Sequence, residues 1–96
     1  MYSVQMLFDT DRLGSAEIEA VCSQVDVIFE EENIVCEKKK MGERVYSDSG
    51  EKQDFGRLWT ALFTVKDTPA ITKSLKACTW QRGDIRENLI TDFFNR

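Results

Sequence analysis

The sequence predicts an α+β fold, with one antiparallel sheet and two helices packed on one of its faces. Three observations carry this. Ninety-six residues make one domain and are too few for two. A two-residue apolar alternation at the amino terminus gives way, after Gly14, to apolar residues spaced by three and four, the periods of a strand and then of a helix. The order that follows reads strand, strand, helix and a last extended segment.

Tyr2, Val4, Met6 and Phe8 alternate with Ser3, Gln5 and Leu7, the pattern of a strand with one strongly apolar face. Asp9-Thr10-Asp11 breaks it. Gly14-Ser15 supplies a helix start, and Glu17 and Glu19 then fall in the first turn, where the helix dipole favours acids. Ile18, Val21, Cys22, Val25, Ile28 and Phe29 form the buried stripe of this helix, and Asn33 closes it. The second strand begins at Ile34-Val35-Cys36 and runs through the lysines towards Gly42, with Glu43 to Tyr46 as its continuation beyond a kink. Its charged side chains mark it as an edge strand. Ser47 to Asp54 holds no apolar residue and reads as a hairpin loop.

Arg57 to Lys66 reads as the third strand, with Trp59, Ala61, Phe63 and Val65 on one face and Leu58, Thr60, Leu62 and Thr64 on the other. Thr68-Pro69 starts a second helix, since Pro is tolerated at the first helical position, and Ile71, Leu75 and Cys78 form its buried stripe. Asp84 to Phe94 carries two patterns. Asp84 and Glu87 have capping-box spacing, and Ile85, Leu89 and Phe93 recur every four residues, as in a helix. Thr91, Phe93 and Phe94 favour a strand. A strand beside the first one completes the sheet, and that is the reading taken. Residues 1–96 then form a single ferredoxin-like βαββαβ sandwich, four antiparallel strands with two helices on one face and the first and third strands central.

Charge is polarised along the chain. Residues 1–37 hold nine acids and one base, and residues 38–96 twelve bases and eight acids, so a net of −4 divides into −8 and +4. An acidic total argues against non-specific nucleic-acid binding but leaves room for a localised contact made by the later half. There is no histidine, which removes the commonest general base and metal ligand. Cys22, Cys36 and Cys78 have neither C-x-x-C spacing nor histidine companions; they are odd in number, two sit within apolar patterns, and they read as buried thiols in a reducing compartment rather than a metal or disulfide set. No apolar run reaches the ~18–20 residues that cross a bilayer.

Four segments stand out together: the opening Met1-Tyr2-Ser3-Val4-Gln5-Met6-Leu7, then Met41-Gly42-Glu43-Arg44, Gly56-Arg57-Leu58-Trp59 and Asp84-Ile85-Arg86. In this ordered set the chain resembles the bacterial and organellar family of small-subunit ribosomal protein six. Gly42-Glu43-Arg44 is most similar to the mitochondrial branch. The resemblance implies a non-catalytic, cofactor-free constituent of the small ribosomal subunit, in the mitochondrial matrix rather than bacterial cytoplasm. It would bind small-subunit ribosomal RNA in the platform region, as a heterodimer with small-subunit ribosomal protein eighteen. Arg44, Arg57 and Arg86 stand at matching positions and are the candidate RNA contacts, because a planar guanidinium suits phosphate better than an ammonium. Lys38 and Lys40, which share a strand face, join them. Leu7, Leu58, Thr60 and Leu62 on the open sheet face are the candidate partner-binding surface.

Two other classes share the scaffold. A dimerising or small-molecule-binding regulatory module needs a pocket with convergent polar groups and would bury the open face against itself. An acylphosphatase-like enzyme needs a phosphate-cradling loop after the first strand, and Asp9-Thr10-Asp11 places two acids there instead.

Overall fold

The computed structural model describes residues 1–95. Strand β1, Tyr2–Phe8, keeps the predicted alternation: Val4, Met6 and Phe8 are buried while Ser3, Gln5 and Leu7 face the other way. Helix α1, Ser15–Glu31, buries Ile18, Val21, Cys22, Val25 and Phe29 along one stripe, as their spacing requires. Two residues past its end, Asn33 at φ 59° turns the chain away from the helix.

From there the structure departs from the expected order. Strand β2, Val35–Lys40, and strand β3, Glu43–Ser47, form a hairpin around Met41-Gly42 instead of one kinked strand. Gly42 sits at φ 77°, and a Cβ there would lie 2.5 Å from Thr10 Cγ2, so a glycine is needed at this turn. Arg57 to Lys66 is not a strand. Asp54–Lys66 is helix α2, burying Leu58, Ala61, Leu62 and Val65 at spacings of three and four. The expected second helix shrinks to one turn, α3, Pro69–Thr72, and Leu75–Arg82 is strand β4, with Cys78 and Trp80 buried. After Asp84 the chain is extended only as β5, Ile85–Asn88, which pairs with β4 and not with β1; a π-helical turn, Ile90–Phe94, follows.

The sheet therefore has five strands rather than four, in the order β2-β3-β1-β4-β5 with every neighbour antiparallel. β1 lies at the centre, paired with β3 through Val4↔Tyr46 and with β4 through Val4↔Trp80. The buried residues of β1, β3 and β4 fall on one face, and both long helices cover it. Within this core the rings of Phe29 on α1 and Tyr46 on β3 stack at 3.9 Å with planes 5° apart. A second aromatic group joins Tyr2 and Trp80 on the sheet to Phe55 and Trp59 on α2, and Phe93 of the terminal turn reaches Trp59. All three cysteines are free: Cys22 and Cys78 are buried and Cys36 is half-buried. Burial alone pushes the Cys78 thiol up to about 12, so it behaves as an apolar side chain.

Candidate nucleic-acid interface

The pairing register decides which side chains share the uncovered face. β1 places Ser3, Gln5 and Leu7 there. Their partners on β3 are Ser47, Val45 and Glu43, and on β4 Gln81, Thr79 and Ala77. On β2, Lys38 stands opposite Val45 and Lys40 opposite Glu43, so both lysines lie on this face, while Lys39, opposite Arg44, lies on the helix side. On β5, Arg86 stands opposite Gln81 and Asn88 opposite Thr79. The result is a mixed surface of serine, threonine, glutamine and asparagine interspersed with Leu7, Val45 and Ala77, carrying three cations and the Glu43 carboxylate, with no aromatic ring at any of these positions.

The predicted contacts divide sharply against this frame. Arg86 is exposed, and no carboxylate lies within ion-pair distance of it among the described residues. Lys40 is likewise exposed without an ion pair, whereas Lys38 reaches Glu43 at 3.4 Å. Gln5 donates to the same carboxylate at 2.7 Å; that hydrogen bond, followed by Lys38, holds Glu43 below the usual carboxylate range.

Arg44 is a correction. It points to the helix side, where its Nε donates to Asp26 at 3.1 Å and its Nη1 to the backbone carbonyls of Lys40 and Glu43. Asp26 also accepts the Tyr46 hydroxyl at 2.5 Å and pairs with Lys39 at 3.5 Å. The Arg44 side chain, 14% exposed, ties β3 and the hairpin to α1, leaving little of its fork for phosphate. Arg57 is a correction too: on α2 it pairs with Asp54 at 3.2 Å and Glu51 at 3.5 Å, far from the open face. Asp54 is buried and accepts from both the backbone and the hydroxyl of Ser49. Those bonds, with Arg57 after them, hold its carboxyl below the usual range.

The expected apolar partner surface is not assembled. Leu58 and Leu62 are fully buried on the inner side of α2 and Thr60 is exposed on its outer side, so Leu7 alone of the four lies on the open face. The cause is the helical conformation of 54–66, which turns residues four apart to the same side.

Sequence reading missed Thr79, Gln81 and Asn88, which surround Arg86 together with Gln5 in a shallow depression of about 360 Å³ floored by Ala77. Gln81 donates its amide to Gly83 O at 3.1 Å and Asn88 accepts Ile90 N at 3.0 Å, so both carboxamides are held in place with one polar atom left over. The signal for them was the alternation of Ala77, Thr79 and Gln81 with Cys78 and Trp80. Glu87 stands at the rim and tempers the positive charge.

Compared with family models, curated proteins and solved structures, the chain matches none.

Proposed function

We propose that this chain is a non-catalytic, ferredoxin-like module that docks RNA by its sugar–phosphate backbone on the open sheet face. The arrangement β2-β3-β1-β4 is the strand order of that fold, with β5 added at one edge. One observation carries the functional reading. Arg86, Lys38 and Lys40 stand on one face among hydrogen-bonding side chains and the Glu43 carboxylate, which takes Lys38, while Arg86 has no ion-pair partner among the described residues. Such a face positions phosphates and 2′-hydroxyls; it has no aromatic rings for bases to stack on.

The finer form of the proposal is a structural constituent of the small ribosomal subunit, in a mitochondrial setting and alongside protein eighteen. It rests on the resemblance of the opening strand and of the Gly42-Glu43-Arg44 turn. The Gly56-Arg57-Leu58-Trp59 match lies in α2 rather than in a strand and lends it no support.

The test is a salt titration of binding to single-stranded RNA, followed by sedimentation with small subunits. Two or three phosphate contacts on a single strand give a log–log slope of about −1.4 to −2.1. No binding at low salt removes the RNA reading, and binding to RNA without co-sedimentation removes only the ribosomal form.

A further inference from the structure

The carboxamides around Arg86 carry chemistry that a phosphate alone does not use. Each is held at one end by a group that can bond in only one sense. Gln5 Nε2 donates to the Glu43 carboxylate at 2.7 Å, and Gln81 Nε2 to the Gly83 carbonyl at 3.1 Å. Both of those partners only accept, so each glutamine is left with its Oε1, an acceptor, as the free end. Asn88 Oδ1 accepts from Ile90 N–H at 3.0 Å, and that partner only donates, so the free end of Asn88 is Nδ2, a donor. The Thr79 hydroxyl, which can do either, has no side-chain hydrogen-bond partner among the described residues.

The pairing register sets these groups in one block. Gln81 stands opposite Arg86, Thr79 opposite Asn88, and Gln5 is the partner of Thr79 on β1. Directly opposed side chains of an antiparallel pair start about 4.5–5.5 Å apart at Cβ. A phosphate held by Arg86 therefore brings its own sugar over Gln81, Thr79 and Asn88. The depression they surround, about 360 Å³, lies at the small end of ligand-sized hollows.

A phosphodiester presents only acceptors. It suits Arg86 and Asn88 Nδ2, but it sets oxygen against oxygen at Gln81 and Gln5. Those two atoms call for a donor, and the 2′ carbon of deoxyribose carries none. The ribose 2′-hydroxyl donates and accepts together, so it satisfies a glutamine Oε1 and, at the same time, the Thr79 hydroxyl or the Asn88 amide. We infer, on the basis of the RNA-docking reading, that the Arg86 depression is a ribose-selective subsite. Arg86 takes the phosphate that RNA and DNA share, while Gln81, Thr79 and Asn88 read the 2′-hydroxyl beside it.

The test compares an oligouridylate with the oligodeoxyuridylate of the same length, titrated with the full chain at low salt and followed by fluorescence anisotropy. A base N–H is also a donor, and a constant base leaves the 2′-hydroxyl as the sole difference. The ribose strand should bind about 5- to 30-fold more tightly, the effect of one or two hydrogen bonds made in competition with water. Gln81→Met and Thr79→Val keep the bulk and remove the polar atoms. Each should cut the ratio about fivefold, one hydrogen bond's worth, with deoxyribose binding unchanged. Circular dichroism checks the fold, and Thr79→Val decides if Gln81→Met, which also loses its bond to Gly83, does not fold. Binding of neither strand removes the RNA reading and this inference with it. Equal binding of both strands leaves the docking reading in place and overturns the inference alone. A ratio that the folded variants keep overturns it too, because the discrimination then lies elsewhere on the face.

Discussion

The two hairpins of the sheet start from the same local recipe and end in opposite roles. Each turns in two residues, one of them a glycine with positive φ, and each carries an arginine on its outgoing strand: Gly42 with Arg44, and Gly83 with Arg86. The β2–β3 tip is built into the molecule. Gly42 accepts Phe8 N at 2.8 Å and lies against Thr10, and Arg44 is held by Asp26 on α1. The β4–β5 tip stands free. Nothing lies within 4 Å of a Cβ built on Gly83, and every residue of β5 is exposed. An arginine becomes a strut when a helix supplies a carboxylate beside it, and a docking group when nothing does. The parity of the pairing register, not the residue type, decides which side of the sheet it faces.

Substitutions at the two tips can break or sharpen this contrast. The largest loss should follow Asp26→Ala, which strips partners from both Arg44 Nε and the Tyr46 hydroxyl in a half-buried site. About 2–4 kcal/mol of stability should go in denaturant melts, with RNA affinity per folded molecule unchanged. A variant as stable as the parent would show that Arg44 is not a strut.

Next come the glycines. Gly42→Ala should cost about 2–3 kcal/mol, because left-handed strain adds to the clash with Thr10, and Gly83→Ala only about 1 kcal/mol, because strain acts alone. Equal losses would erase the difference between a packed and an open tip.

The built-in side carries a pH effect. Burial, then the hydrogen bond to Asp26, raises the Tyr46 phenol far above its ordinary 10.0. A group raised in the folded state favours folding fully below its unfolded value, and that contribution drains away as pH climbs above 10.0. Stability should therefore fall in alkali, and Tyr46→Phe should flatten that part of the curve. An unchanged alkaline limb would mean the phenol ionises freely.

The smallest change in stability should come from Arg86→Ala, within about 0.5 kcal/mol. It should nonetheless weaken RNA binding across sequences and lower the salt slope by about 0.7, one phosphate contact on a single strand. Melting of the fold, or an unaltered slope, would move Arg86 into the structural class with Arg44.

Legibility in the sequence followed how clean each period was. β1 and α1 each show one period, and both lie where the pattern puts them. The run Arg57–Lys66 shows two at once. Trp59, Ala61, Phe63 and Val65 alternate as in a strand and Thr60 and Thr64 favour one, while Leu58, Ala61, Leu62 and Val65 recur at helical spacing. Packing under α2 selects the second set. The helix puts Leu58 and Leu62 in the core, where a strand would have put them on the open face, and carries Arg57 with it. The third strand of the chain is instead Glu43–Ser47, which the sequence pattern shows only as a continuation of the second. For the site, the shared face of Lys38 and Lys40 was legible because they stand two residues apart on one strand. The free fork of Arg86 and the capture of Arg44 were not, since each depends on a residue distant in sequence.

The sequence alone determined the amino-terminal strand and its buried side, the first helix and its stripe, and the mixed composition of the domain. These follow from contacts a residue makes within a few positions of itself, which periodicity records. Only the tertiary structure decided that 54–66 is helical, that the last extended segment pairs with β4, and which arginines remain free. Those outcomes depend on what lies across the sheet or under the helix, and a side chain's partner there is chosen by three-dimensional packing rather than by its neighbours in the chain.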